Sequence, residues 1–364
     1  MKKTVSLVLC LALLVGLLAA CAPKETAADP TPSEETTQTA EPTPSPSPEA
    51  TDPTAPRTVV NLAVLSGPTG MGAAQLMAQN AAGNTKNDYR VTVETDNSAV
   101  STKLINGEYD IAAVATNLAS SLYHKTNGGV QLAAINTLGV LYILGRGIDE
   151  TVSSLADLSG KTIVAFGQSA NPEYVLDYLL TENGLDPDAD VDIQWKASAD
   201  EVTAAMLAGE ADWCMLPVPA ATALQVKSEG SIQPVFNLSQ EWDALQNGSQ
   251  LTMGCIVVRT EFAQENPQAV TDFLAEYQDS ITYMTGDESS RHADDPSPAQ
   301  LLADNGLLPS AAIAEKALPA ANLVCITGTD MRDTIQGYYE VLFKADPKSI
   351  GGSIPDDAFY FLGE

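Results

Sequence analysis

Histidine is almost missing from this chain: 364 residues hold two, His124 and His292. Neither lies near a cysteine at ligand spacing, which argues against a zinc site. Both sit in polar surroundings, Tyr123-His124-Lys125 and Arg291-His292-Ala293-Asp294-Asp295-Pro296, that read as surface. Asp294-Asp295 reads as solvated charge rather than a calcium site, so no metal is expected. Basic residues are scarce too, 18 Lys and Arg against 47 Asp and Glu, for a net charge of −29. Phosphate recognition needs a concentrated basic surface, so the composition argues against a nucleic-acid partner. Cysteine is sparse and unevenly placed. Cys10 and Cys21 lie near the start, while Cys214, Cys255 and Cys325 each sit inside an apolar run, the usual setting of a small buried hydrophobe. Three internal cysteines argue against a disulfide framework and leave room for one pair.

Long hydrophobic runs are limited to one, Val5 to Leu18. About fourteen residues are too few to span a hydrocarbon core of ~30 Å comfortably. Preceded by Lys2 and Lys3 and followed by Leu18-Ala19-Ala20-Cys21, the run reads as a secretory signal over residues 1–20. The Leu-Ala-Ala-Cys sequence resembles the lipobox of bacterial lipoproteins. That resemblance implies cleavage before Cys21, a lipid on its thiol, and an extracytoplasmic protein anchored to the cell membrane. An ordinary signal peptide or an uncleaved anchor is the plainer alternative. From Ala22 to Pro56 there is no Leu, Ile, Val, Phe or Trp. Such a Pro/Thr/Glu-rich stretch cannot bury enough apolar surface to offset its ordering entropy, so residues 21–57 read as a lipidated, disordered stalk.

The chain from Arg57 onward is long enough for two domains or one domain of two lobes, and one pattern occurs in it twice. A strand-like run, Val59 to Leu65, leads through Ser66-Gly67-Pro68-Thr69-Gly70-Met71-Gly72 into a helical pattern. About one hundred residues later Lys161 to Phe166 leads through Gly167-Gln168-Ser169-Ala170-Asn171-Pro172 into Glu173 to Asn183. There Asn171 reads as the N-cap, Pro172 as the first helical residue and Gly184 as the stop. Gly107-Glu108-Tyr109-Asp110 and Gly209-Glu210-Ala211-Asp212 repeat in the same way, each ending a helix and opening a short apolar strand. The spacing predicts two α/β lobes on one plan. Two connecting strands make the first lobe discontinuous, residues 58–145 plus 250–364, with residues 146–249 as the second.

In open α/β sheets ligands bind beyond the carboxyl ends of strands, where helix N-termini offer backbone N–H groups. That rule selects Gly67, Thr69, Gly70, Met71, Thr116 and Asn117 from the first lobe, with Asn136 and Thr137 on the connector. From the second lobe it selects Gln168, Ser169, Asn171, Glu173, Tyr174, Pro217 and Val218. Trp195 joins them as an aromatic face suited to a planar or cationic ligand, although an aromatic at such a position is more often core. Glu173, if it points into the cleft, repels an anion; the bland alternative is a solvated first-turn glutamate. No Arg or Lys lies in these loops, which disfavours a purely electrostatic site for an inorganic anion.

The order and spacing of these motifs, together with Ser154 to Lys161 and the ending Gly351-Gly352-Ser353-Ile354-Pro355-Asp356-Asp357-Ala358-Phe359-Tyr360, resemble the substrate-binding lipoproteins of ABC importers in the nitrate, sulfonate, taurine and thiamine-pyrimidine group. The resemblance implies a two-lobed type II periplasmic-binding fold with the ligand between the lobes. It also implies no cofactor, a monomer, and permease and ATPase subunits as partners. The expected cargo is a small planar organic molecule such as a pyrimidine-like vitamin precursor, with a sulfonate as runner-up. Some relatives of this fold are enzymes of cofactor biosynthesis, and a surface sensor without transport is a third alternative. For an enzyme the material is poor. Gly167-Gln168-Ser169-Ala170-Asn171 has Asn171 where a nucleophile elbow needs its second glycine, so no catalytic residue is expected.

Overall fold

Both copies of the strand-loop-helix pattern build three parallel strands in the same order, each set within a mixed sheet. The computed structural model describes residues 57–147, 152–286 and 295–363. The signal segment, Cys21, the stalk to Pro56 and the His292 loop lie outside the described residues. From Arg57 onward both sheets belong to one compact unit.

The first unit runs β1 (Val59–Leu65), α1 (Pro68–Met71), α2 (Ala74–Ala81), β2 (Asp88–Glu94), α3 (Asn97–Ile105), β3 (Ile111–Ala115) and α4 (Thr116–Lys125). β4 (Val130–Leu138) and β5 (Leu141–Arg146) follow. The second unit runs β6 (Thr162–Phe166), α5 (Asn171–Glu182), β7 (Asp192–Lys196), α6 (Ala199–Ala208), β8 (Trp213–Pro217), α7 (Ala220–Lys227), β9 (Ile232–Asn237) and α8 (Leu238–Ala244). The chain returns through β10 (Thr252–Arg259), α9 (Thr260–Glu265), α10 (Pro267–Thr285), α11 (Pro298–Asp304), α12 (Ala311–Ala317), β11 (Leu323–Ile326) and α13 (Gly328–Ala345).

The six-stranded sheet has the order β11-β4-β10-β3-β1-β2 and the five-stranded one β9-β5-β8-β6-β7. In each, three parallel strands (β2-β1-β3 and β7-β6-β8) are flanked by an antiparallel fourth, β10 or β5. The duplicated plan is therefore real at the level of topology. The sheets also move one boundary. β5 pairs with β8 and β9, so the chain leaves the first sheet at Gly139-Val140, before the lobe boundary expected after Gly145. The apolar run is continuous across the crossing, and Gly139 is the break. A Cβ there would lie 2.1 Å from the Ser239 hydroxyl and 2.9 Å from Leu251.

β1 shows why the sequence takes this form. Val60, Leu62 and Val64 enter one apolar cluster, whereas Ala63 and Leu65 enter another on the opposite face. Burial on both faces is the signature of a covered parallel strand. The larger cluster crosses from one sheet to the other, joining Val114 and Cys255 to Leu176, Leu179 and Trp242 through Tyr338 and Tyr339 of α13. Tyr178, Trp242, Tyr338 and Tyr339 follow one another with ring centroids 4.9, 5.6 and 6.2 Å apart. The three internal cysteines are free, Cys214 and Cys255 buried and Cys325 partly so. Burial pushes the Cys214 thiol up to about 12 and Cys325 up to about 11, which leaves them inert.

Candidate functional site

The two units meet at Asn171. It is the first residue of α5 rather than its cap: Ala170 occupies the cap position, and no side chain caps the helix. The Asn171 carboxamide instead crosses to the other unit, where its Nδ2 donates to the Thr116 hydroxyl at 3.2 Å and the Thr252 carbonyl at 3.3 Å. Its Oδ1 accepts from the Tyr338 hydroxyl at 2.6 Å. Thr116 donates in turn to the Thr252 carbonyl at 2.8 Å, and Tyr339 donates to the Thr116 carbonyl at 2.7 Å. Asn171 is 1% exposed and Thr116 fully buried. Within this cluster the Thr252 hydroxyl lacks a partner, while the Asn171, Thr116, Tyr338 and Tyr339 side chains are all bonded, and a buried network of this kind fixes geometry strongly. Both ends of the Asn171 carboxamide are thus held by protein, a positioning role rather than a free ligand contact.

Beside this junction lies a cavity of about 550 Å³. Asn97 and Ser98 at the start of α3, Asn117 and Leu118 at the start of α4, and Gln168 and Ser169 from the loop before α5 line it. The loop is held in shape by three local features. Gly167 has φ +91°, and a Cβ there would meet Pro172 at 2.7 Å. Ser169 is itself in the left-handed region, at φ +59°. Its N–H donates to the Glu173 carboxylate, so Glu173 caps its own loop. Asn117 is 7% exposed; its Nδ2 donates to the Ser349 carbonyl at 3.3 Å, while its Oδ1 has no hydrogen-bond partner.

A second cavity, about 780 Å³, lies between α5 and α13 and touches Ser169 from the other side. Tyr174, Asp177, Tyr178, Asn247, Asp346 and Ser349 are among its lining residues, with Glu173 at the same face. Burial, then the charges of Glu173 and Asp188, raise the Asp177 carboxyl to about 7. Burial likewise raises Tyr174.

The remaining sequence candidates scatter. Gly70 and Met71 are buried in the first unit: Met71 enters its core, and a Cβ on Gly70 would overlap the Leu65 carbonyl oxygen. Asn136 and Thr137 are fully buried and secure the Gly67-Pro68-Thr69 turn, Asn136 donating to the Thr69 carbonyl at 2.8 Å and to Tyr277 at 3.1 Å. Trp195 stands on the edge strand β7, half-buried against the core. Pro217 pairs with Leu141, and the Val218 N–H donates to the Val140 carbonyl at 2.9 Å. None of Trp195, Pro217 and Val218 lines either cavity. Sequence reasoning missed Asn97, Tyr338 and Asp177. The first follows β2 as Thr116 follows β3, and the strand-end rule could have found it. Among the described residues, no group of three or more His, Cys, Asp or Glu is placed to hold a metal ion, and no helix is long and apolar enough to cross a membrane.

A family model described as NMT1/THI5 like matches residues 88–289. No curated protein matches the sequence. Among solved structures, an ABC transporter from Parabacteroides distasonis is similar at 19% identity, over 83% of this chain and 98% of that one, with a TM-score of 0.67. The periplasmic aliphatic sulphonate binding protein SsuA from Escherichia coli is 15% identical over 81% of this chain and 90% of its own, TM-score 0.63. The periplasmic nitrate-binding protein NrtA from Synechocystis PCC 6803 is 11% identical over 76% and 74%, TM-score 0.53. At these identities the likeness establishes the fold, a two-lobed periplasmic-binding architecture.

Proposed function

The chain belongs to the NMT1/THI5-like family, and we propose that it is the solute-capturing component of an ABC importer, held outside the cytoplasm by a lipid on Cys21. The observation that carries this reading is the cavity between the first turns of α3 and α4 on one unit and the Gln168-Ser169 loop on the other. A small ligand there touches both units, so binding favours the closed arrangement, and a permease that recognises the closed form receives the cargo. The fold neighbours that are sulphonate-binding and nitrate-binding proteins support a solute-binding role. The site is poor in catalytic groups. Ser169 is exposed on its loop, while His124 bonds the Ser353 carbonyl at 2.7 Å, and the thiols of Cys214 and Cys255 are buried.

A thermal-shift screen of the purified protein against pyrimidines, sulfonates, nitrate, amides and amino acids, followed by calorimetry, tests the proposal. A ligand at 100 times its dissociation constant stabilises by about 2.7 kcal/mol. A saturable one-to-one hit recovered chemically unchanged supports capture. Turnover of the hit, or silence across the whole screen, defeats it. For the anchor, Cys21→Ser is expected to move the protein from the membrane fraction to the soluble one; unchanged membrane retention defeats that part alone.

A further inference from the structure

α5 has two unlike faces. Val175, Leu176, Leu179 and Leu180 are buried in the core, whereas Glu173, Tyr174, Asp177, Tyr178, Thr181 and Glu182 recur at the complementary positions and line the cavity between α5 and α13. A polar helix face of this kind ordinarily meets bulk water. Here residues of α13 and the turn after it, among them Val341, Leu342 and Asp346, complete a wall around about 780 Å³, room for a small organic molecule.

The charges of that wall are uneven. Four carboxylates line the cavity, those of Glu173, Asp177, Glu182 and Asp346, against one base, the exposed Lys344. Glu173 accepts from the Ser169 N–H, and Asp346 accepts from the Lys348 N–H at 3.0 Å, capping the turn that starts at Pro347. Glu182 is exposed to water. Asp177 differs from all three. It is half-buried, its carboxylate has no hydrogen bond or ion pair among the described residues, and the charges acting on it, Glu173 and Asp188, share its sign. Tyr174 and Tyr178 flank it on the same face; the Tyr178 oxygen accepts from Asn247 at 3.1 Å, and the Tyr174 hydroxyl has no partner among the described residues.

We infer that the cavity between α5 and α13 is a second binding site, specific for a small organic cation, whose ammonium group pairs with the Asp177 carboxylate while its apolar body lies against Tyr174, Tyr178 and Leu342. An acidic wall set with aromatic rings attracts a cation and repels an anion. The cation is organic rather than metallic, since among the described residues no three such ligands are grouped to hold a metal ion. This cavity shares only Ser169 with the one between the units, so the inference stands apart from which solute is captured there.

The site should be pH-dependent. Burial first, then Glu173 and Asp188, hold the Asp177 proton up to about 7, and a cation must displace that proton in acid solution. Glu173, Tyr174, Tyr178 and Glu182 on α5, Asp188 beyond it, and Lys344 and Asp346 at the end of α13 are the other charged and titratable groups around Asp177.

Calorimetry on the purified full chain with phenethylamine, phenethyl alcohol and hydrocinnamate tests the inference, because the three share an apolar body and differ in charge. At pH 8 the amine is expected to bind one-to-one and at least about tenfold more tightly than the alcohol, the scale of one charge-assisted contact, with no binding of the carboxylate. The amine stays charged between pH 8 and pH 6, yet its affinity should fall about tenfold over that range as Asp177 takes up its proton. Asp177→Asn should remove both the preference and the pH dependence. Asp200→Asn, at an exposed position on α6 outside both cavities, should change neither, which separates a built site from diffuse attraction to a chain of net charge −29. The melting temperature of unliganded Asp177→Asn reports its fold; if it does not fold, the wild-type comparisons still decide. Silence of the amine, equal binding of amine and alcohol, or amine binding that survives Asp177→Asn unchanged overturns the inference.

Discussion

The hydroxyl of Tyr338 donates to the carboxamide oxygen of Asn171 at 2.6 Å, joining the C-terminal helix to the first turn of α5. Both residues are buried, so the bond has no water to replace it. Tyr338→Phe keeps the ring stack on Trp242 and leaves the Asn171 oxygen unanswered, at an expected cost of about 1–3 kcal/mol. Asn171→Ala should destabilise as well. The double variant should cost less than the two singles together, because each single strands the other's partner. Denaturant titration of the four proteins measures this. Strict additivity would mean that the bond carries no coupling and that the junction is held by apolar packing alone.

This junction also marks where sequence reading stops. The first strand, its glycine-rich turn and the paired Gly-Glu-x-Asp segments were legible because a short apolar run bounded by turn residues is a local property. Their repetition foretold two sheets of one plan. Tyr338 was not legible, since its partner lies 167 residues away and a tyrosine on an amphipathic helix looks like any core aromatic. Asn171 shows the reverse error. Local rules made it a cap, yet the Glu173 carboxylate takes the Ser169 N–H of that turn and frees the asparagine to cross between units. Met71 was misjudged for a similar reason: the loop holding it does follow a strand, but α1 turns its side chain into the core.

Asp177 sets a pH dependence whose sign is fixed by its environment. Burial chiefly, then Glu173 and Asp188, raise its carboxyl from the ordinary 3.8 to about 7, so the folded chain holds this proton to higher pH than the unfolded one. Its contribution to stability is full below the ordinary value and declines as pH rises toward about 7. Asp177→Asn keeps the shape and removes the titration. The melting temperature of the variant minus that of the wild type is therefore expected to rise from pH 4 to pH 7 and then level off. A difference that stays constant over that range would show that Asp177 titrates normally.

Gly167 holds the loop that separates the two cavities. Alanine there meets two penalties, a φ of +91° that L side chains rarely adopt and a Cβ only 2.7 Å from the Pro172 ring. Gly167→Ala should destabilise by about 1–3 kcal/mol and weaken capture by displacing Gln168 and Ser169. Ser169→Gly is the control. Ser169 is non-glycine at φ +59°, so glycine fits that conformation without strain and should leave the stability within about 1 kcal/mol of the wild type. Melting curves of both variants test the pair, and a neutral Gly167→Ala would show that the turn relaxes freely.

Ser169 lines both cavities and Asp177 only one, which allows a variant pair to say where a ligand sits. Ser169→Ala removes a hydroxyl and leaves the backbone N–H that Glu173 holds, so the loop keeps its shape while a ligand on either side loses a contact. The expected loss is about threefold to tenfold in affinity, the range of one net hydrogen bond. Asp177→Asn changes the lining of the α5–α13 cavity and nothing in the cavity between the units. Capture beside Asn117 thus requires that Ser169→Ala weaken binding and Asp177→Asn leave it unaltered, measured by calorimetry at pH 8, where the Asp177 carboxyl is ionised. If Asp177→Asn is the variant that weakens binding, the ligand belongs between α5 and α13, and its selectivity is set by the carboxylates and tyrosines that line that cavity.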